Sequence, residues 1–230
     1  MHITKIEPTK HDANRVAVFV DDKYALACDF GVWLESGLHE GDSITQANID
    51  ALKASESLHV LKERALRLLA GRPHGRAELR RQLARGTKAH PAPSLEQIDI
   101  ALDQLAEADL LDDQAFAEFW VEQRDRFRPK GSLALRAELR GKGVAAEDID
   151  AAITPDRDLE RALTAGRRKA QSLGTRPGID ARVFRDTLGP FLLRRGFTTS
   201  VAREAVATLW SECAVPSGDM DDALGEIEDE

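Results

Sequence analysis

Arg72, Arg76, Arg80, Arg81 and Arg85 crowd one short segment of a 230-residue chain whose formal net charge is −8. Arginine is planar, permanently charged and able to bind carboxylate or phosphate through two parallel hydrogen bonds. Like charges four apart slightly destabilise a helix, so folding alone does not explain the crowding. A second cluster contains Arg124, Arg126, Arg128, Lys130, Arg136, Arg140 and Lys142, and Arg194 with Arg195 marks the matching place in a third. Recurring in this way, the clusters suit a surface that meets protein carboxylates and nucleic-acid phosphates. The competing account is internal pairing with acidic segments of the same fold.

The charge is laid out in blocks. Residues 61–90 carry +7, 91–118 carry −8, 119–143 carry +4, 144–160 carry −5, 161–203 carry +8 and 204–230 carry −9. An acidic chain is a poor indiscriminate DNA binder. Alternating blocks instead fit neighbouring segments that attract one another, or a partner with its own charge pattern.

Other chemistry finds little support. Gly141-Lys142-Gly143 lacks the spacing and the preceding strand of a phosphate loop. The six His are scattered with no pair at metal-ligand spacing, and Cys28 and Cys213 lie far apart, as idle thiols do. Asp112-Asp113 sits at a helix start, where capping accounts for it. The chain reads as a non-enzyme with no cofactor and no metal. No apolar run approaches membrane-spanning length, and Met1–Asn14 is polar, unlike a secretory signal.

A repeat places the basic clusters. Arg72-Pro73-His74-Gly75, followed by Leu79 and Leu83, returns fifty-six residues on as Arg128-Pro129-Lys130-Gly131 with Leu135 and Leu139. A looser third copy has Arg176-Pro177-Gly178, then Leu188, Leu192 and Gly196 in place of Leu135, Leu139 and Gly143. The Pro/Gly turn breaks the helix, and the leucines form one stripe with Arg81 and Arg85 opposite and Arg76 and Arg80 flanking. Periodicity of this size indicates tandem units. Units of three helices bury little surface alone and should stack. The expected fold is mainly α, with tandem three-helix repeats forming an elongated curved rod behind a small N-terminal α+β cap. The domains are the cap at 1–57, repeats at 58–111, 112–154 and 155–213, and an acidic disordered tail at 214–230.

Local signals fill in the elements. Arg15–Val20 and Tyr24–Cys28 form a β-hairpin about Asp21-Asp22-Lys23. Phe30–Leu34 makes a short helix ending near Gly37, and Thr45 caps the helix carrying Ile49 and Leu52. Ser94 and Gln97 form a capping box for a helix striped with Leu95, Ile98, Leu102 and Leu105. The Gly86–Pro93 loop is exposed. Phe116, Phe119, Trp120 and Phe127 could stack on bases but read as core at this spacing. Ile149 and Ile153 belong to the third helix of repeat two, and Thr154-Pro155 starts repeat three. A helix-turn-helix DNA reader is the structural competitor, but the second helices lack the side-chain mixture that reads base edges.

Ala65-Leu66-Arg67-Leu68-Leu69-Ala70-Gly71-Arg72, Glu78-Leu79-Arg80-Arg81-Gln82-Leu83 and Leu102 through Leu111-Asp112-Asp113 with Phe116-Ala117 resemble the RecX family. So does Gly131 through Glu138-Leu139-Arg140-Gly141-Lys142-Gly143-Val144 with Ile149. The resemblance covers about residues 58–210, and the hairpin cap looks like the extension some members carry. His74-Gly75-Arg76 stands where the family commonly has a small hydroxyl residue, and this departure falls on the expected functional surface. The resemblance implies a cytoplasmic regulator that binds RecA filaments on single-stranded DNA, and the chain is expected to be a monomer. Such a regulator restrains recombination, ATP hydrolysis and the coprotease activity behind the SOS response. The basic residues of the three clusters would then meet RecA or DNA. Alternatives are a DNA-binding protein independent of RecA and a helical-repeat scaffold.

Overall fold

A computed structural model describes residues 1–86, 92–176 and 179–214. The chain divides into two compact units, Met1–Asp112 and Asp113–Glu230. Most of the expected Gly86–Pro93 loop, the Pro177-Gly178 turn and the expected tail beyond residue 214 lie outside the described residues.

The first unit opens with a three-stranded antiparallel sheet in the order β1 (Ile3–Thr9), β2 (Asp12–Val20) and β3 (Lys23–Asp29). The hairpin expected at 15–28 is present, with Asp21 and Asp22 both at positive φ, 48° and 61°. That two-residue turn matches the twist of paired strands. The first strand lies within the polar stretch Met1–Asn14, where the sequence pattern assigns no element. Lys5, Glu7 and Pro8 mask it, yet Ile3 is buried, and Pro suits an edge strand that need not donate every hydrogen bond. The strand is pinned where the His2 amide donates to Asp21 Oδ1 at 2.8 Å and the Asp22 amide to Thr4 Oγ1 at 3.0 Å.

Helix α1 (Phe30–Glu35) precedes α2 (Gln46–Leu69), which Thr45 and Asn48 cap reciprocally. The long α2 crosses the boundary expected at residues 57–58 without a break. Its first half, with Ile49 and Leu52, packs against the sheet, and its second half, with Leu61 and Ala65, enters the next core. That core is completed by α3 (Arg76–Leu83) and α4 (Leu95–Glu107), the latter with the expected Ser94–Gln97 capping box. Leu95 is the exception to the expected stripe. It is the first residue of its helix and remains 54% exposed, while Ile98, Leu102 and Leu105 are buried.

In the second unit, α5 (Asp113–Phe127), α6 (Ser132–Lys142) and α7 (Ala146–Ala152) enclose Phe116, Ala117, Val121, Leu135, Leu139, Val144, Ile149 and Ile153. A 3-10 turn at Pro155–Arg157 leads to α8 (Asp158–Gly174), α9 (Ala181–Arg194) and α10 (Thr199–Ala214), packed about Phe184, Leu188, Leu192 and Leu209. Thr154 precedes Pro155 as expected but makes no side-chain capping bond.

The leucine pairs tie these bundles to the sequence repeat. Leu79 and Leu83, Leu135 and Leu139, and Leu188 and Leu192 are all fully buried. Gly143 and Gly196, matched by sequence, take the left-handed conformation at φ 85° and 84°, which suits a residue without Cβ. Leu79→Ala and Leu139→Ala should each lower stability by about 2–5 kcal/mol. Thermal melts indistinguishable from wild type would contradict the assigned phase of these helices.

Candidate functional site

The basic residues separate into paired and unpaired sets. In the first unit, α3 and α4 lie side by side, and arginines flanking the buried leucines of α3 meet acids of α4. Arg80 grips Asp99 through two bonds of 2.7 and 3.0 Å, and Arg76 reaches Asp103 at 2.6 Å. The Arg80 hydrogen bond holds the Asp99 carboxyl below its ordinary range. Arg72 pairs with Glu78 at 2.5 Å. The second unit repeats the device, since Arg136 of α6 pairs with Asp150 of α7. Internal neutralisation therefore accounts for these four arginines.

Glu138 organises two further cations and an indole. Arg124 donates to it at 2.8 Å, the Trp120 indole N–H at 2.9 Å, and Lys130 Nζ reaches its other oxygen. Burial pushes this carboxyl up, but the three donors outweigh burial and hold it below the ordinary glutamate range. The Trp120 ring also carries the Arg124 guanidinium at 4.4 Å and the Lys142 ammonium at 3.9 Å from its centre. Arg195 is held similarly, 4.6 Å from the centre of Phe191 and 3.2 Å from the Pro129 carbonyl oxygen.

What remains is a smaller set. Arg81, Arg85, Arg126, Arg128, Arg140 and Arg194 are exposed and make no ion pair among the described residues. Three of them share a structural address. Arg85 lies two residues past α3, Arg140 lies in the last turn of α6 and Arg194 is the last residue of α9, each within a turn of the end of its bundle's second helix. A helix C-terminus tolerates positive charge well, so these positions hold unpaired arginines at little cost.

His74 proves not to be a surface residue. It is 6% exposed, and its Nδ1 lies 2.9 Å from the Arg72 carbonyl oxygen, so this departure from the RecX pattern supports the turn from inside. Phe127 also departs from expectation. At the last residue of α5 it faces outward, 66% exposed, whereas Phe116 is fully buried and Phe119 and Trp120 are half-buried. The Cys28 thiol is pushed up to about 11, chiefly by burial and further by Glu56, leaving it protonated at neutral pH.

A buried ionic network was not legible in the chain. Arg161 of α8 is 2% exposed at its side chain. It holds Asp125 of α5 through bonds of 2.8 and 3.1 Å and lies 3.3 Å from Asp158. Asp158 accepts from the backbone N–H and the hydroxyl of Ser132, capping α6, whose own cap residue Gly131 has no side chain to offer. Gly131 in turn donates to the Arg195 carbonyl at 3.0 Å. A Cβ on Gly131 would collide with the Gly196 backbone, so glycine serves close approach here rather than a positive φ. No local pattern announces this network, because its members lie far apart in sequence.

Among the described residues, no cluster of His, Cys, Asp and Glu could hold a metal ion, and no helix is long and apolar enough to cross a membrane. The arrangement offers charge-assisted docking. A family model described as "RecX, second three-helix domain" matches residues 112–153, and one described as "Regulatory protein RecX N-terminal domain" matches residues 1–45. Regulatory protein RecX of Mycobacterium sp. (strain JLS) is 39% identical over 61% of this chain and 76% of its own length. The Chlorobaculum tepidum protein of the same name is 36% identical over 69% of this chain and 94% of its own length. A crystal structure of regulatory protein RecX superposes with a TM-score of 0.71, at 25% identity, covering 89% of this chain and 98% of that one. With the repeated leucine pairs and the bundles built on them, these likenesses establish that the chain belongs to the RecX family of regulatory proteins.

Proposed function

We propose that this protein regulates RecA, acting as a cytoplasmic monomer that binds RecA filaments on single-stranded DNA. It restrains ATP hydrolysis, strand exchange and the coprotease activity that triggers the SOS response. Family membership supports this reading, and one observation carries it to particular residues. Once internal pairs are set aside, Arg85, Arg140 and Arg194 remain unpaired at the ends of equivalent second helices. A filament presents the same acidic and phosphate groups at regular intervals, and a chain with recurring arginines can engage several at once. Each additional contact then forms at high effective concentration.

The action is binding rather than catalysis. Titrating the purified protein into RecA on single-stranded DNA should depress ATP hydrolysis in a dose-dependent way, with the mass of RecA unchanged. Undiminished hydrolysis at saturating protein would overturn the proposal. DNA binding with the same salt dependence in the presence and absence of RecA would favour a free-standing DNA-binding protein.

A further inference from the structure

Phe127 and the arginines around it point to a more specific ligand, and the argument rests on the RecA-regulating reading only for the setting in which that ligand is met. A phenylalanine closing an amphipathic helix normally turns inward, and Phe116 on the same helix does so. Phe127 instead leaves two-thirds of its surface in solvent. The Arg126 guanidinium lies 5.2 Å from its ring centre. Arg128 follows it, exposed and without an ion pair among the described residues.

The fold brings a second cationic turn to this place. Gly131 donates to the Arg195 carbonyl at 3.0 Å, and Arg195 Nη1 donates to the Pro129 carbonyl at 3.2 Å, seating the 194–196 turn against the 128–131 turn. Arg194, exposed and unpaired among the described residues, belongs to that turn. Of the nearby acids, Asp125 is engaged by Arg161 and Arg157 and Glu138 by Arg124 and Lys130, while Glu122, one turn before Arg126 on α5, is exposed and forms no ion pair among the described residues. The two turns therefore present an aromatic face and an excess of positive charge, since Arg126, Arg128 and Arg194 outnumber Glu122.

We infer that this surface of the second unit binds single-stranded nucleic acid directly, with a base stacked on Phe127 and flanking phosphates held by Arg126, Arg128 and Arg194. An unpaired base has a flat apolar face that a duplex hides, and its backbone supplies an anion on either side. A protein partner would meet the charge but gives no equal reason for an exposed ring backed by a guanidinium. Arginine serves both parts, since it stacks as well as bonding to phosphate.

The test uses the full-length protein and a fluorescein-labelled oligothymidylate, without RecA, at low salt. Phe127→Ala should weaken binding roughly tenfold, Phe127→Tyr should restore it, and helical content by circular dichroism should not change. Arg128→Gln with Arg194→Gln should flatten the salt dependence, each lost phosphate contact reducing the slope by about 0.7. Ultraviolet crosslinking of a bromouracil-substituted strand should label the peptide containing Phe127. Wild-type affinity in Phe127→Ala, or no binding by the wild-type protein, would overturn the inference. RecA ATPase is measured on the same variants to keep the two readings apart. Lost inhibition with intact oligonucleotide binding would assign the surface to a protein partner, while intact inhibition with lost oligonucleotide binding would uphold the inference.

Discussion

Arg161→Ala should destabilise the protein by about 3–5 kcal/mol, the range for removing one partner of a buried ion pair. The side chain of Arg161 is 2% exposed, that of Asp158 is 5% exposed and that of Asp125 is 15% exposed, so neither carboxylate can recover much solvation once the guanidinium is gone. The damage should spread along the network. Asp158 also caps α6 at Ser132, and its stranded charge would bear on the helix it now supports. Asp125→Asn added to Arg161→Ala should restore part of the loss, because the second change removes a half-buried carboxylate left with only Arg157 at 3.4 Å. Urea denaturation of the two variants checks this. An Arg161→Ala midpoint within error of wild type would mean that water or neighbouring groups satisfy the acids. Any ion-pair gain in the intact protein is offset by desolvation, so the prediction concerns breaking the network and not its net worth.

The largest functional effect is expected from Arg85→Glu combined with Arg140→Glu. Both residues are exposed and unpaired among the described residues, and both lie at second-helix ends, where the reversed charge costs only about 0.3–1 kcal/mol per site. The variant should therefore fold with normal helical content and lose inhibition of RecA ATP hydrolysis at physiological salt. Arg80 and Lys142, attractive by sequence, serve this test poorly. Arg80→Glu would set a carboxylate against Asp99, and Lys142→Glu would strip a cation from the Trp120 ring, so a functional loss could follow from damage within the bundle. Inhibition retained by Arg85→Glu with Arg140→Glu would place the RecA-facing surface elsewhere. Arg194 is left out because the oligonucleotide experiment examines it separately.

Periodicity alone determined the helical character of the chain and the phase of its main helices. Leu79 and Leu83, Leu135 and Leu139, and Leu188 and Leu192 could be matched by offset, and all six are fully buried, because one face of a helix is fixed by spacing regardless of what packs on it. Caps at Thr45 and Ser94 were equally legible, since a cap is a contact between residues three apart. The first strand was not, because an edge strand with Lys5, Glu7 and Pro8 shows only a weak alternating pattern until its neighbour is present.

The candidate surface divides along the same line. Composition and spacing were enough to find the basic clusters, and the runs around Leu79 and Leu139 were enough for a resemblance to the RecX family. Which arginines are free was decided only when α4 came to lie beside α3 and α7 beside α6, committing Arg76, Arg80 and Arg136 to Asp103, Asp99 and Asp150. The exposure of Phe127 and the burial of Arg161 were settled in the same way. Helical spacing assigns a residue to a face, but whether that face is covered, and whether a charge on it is answered, depends on elements distant in sequence. Solvation and ion pairing act through space, and the chain order of these residues does not encode that distance.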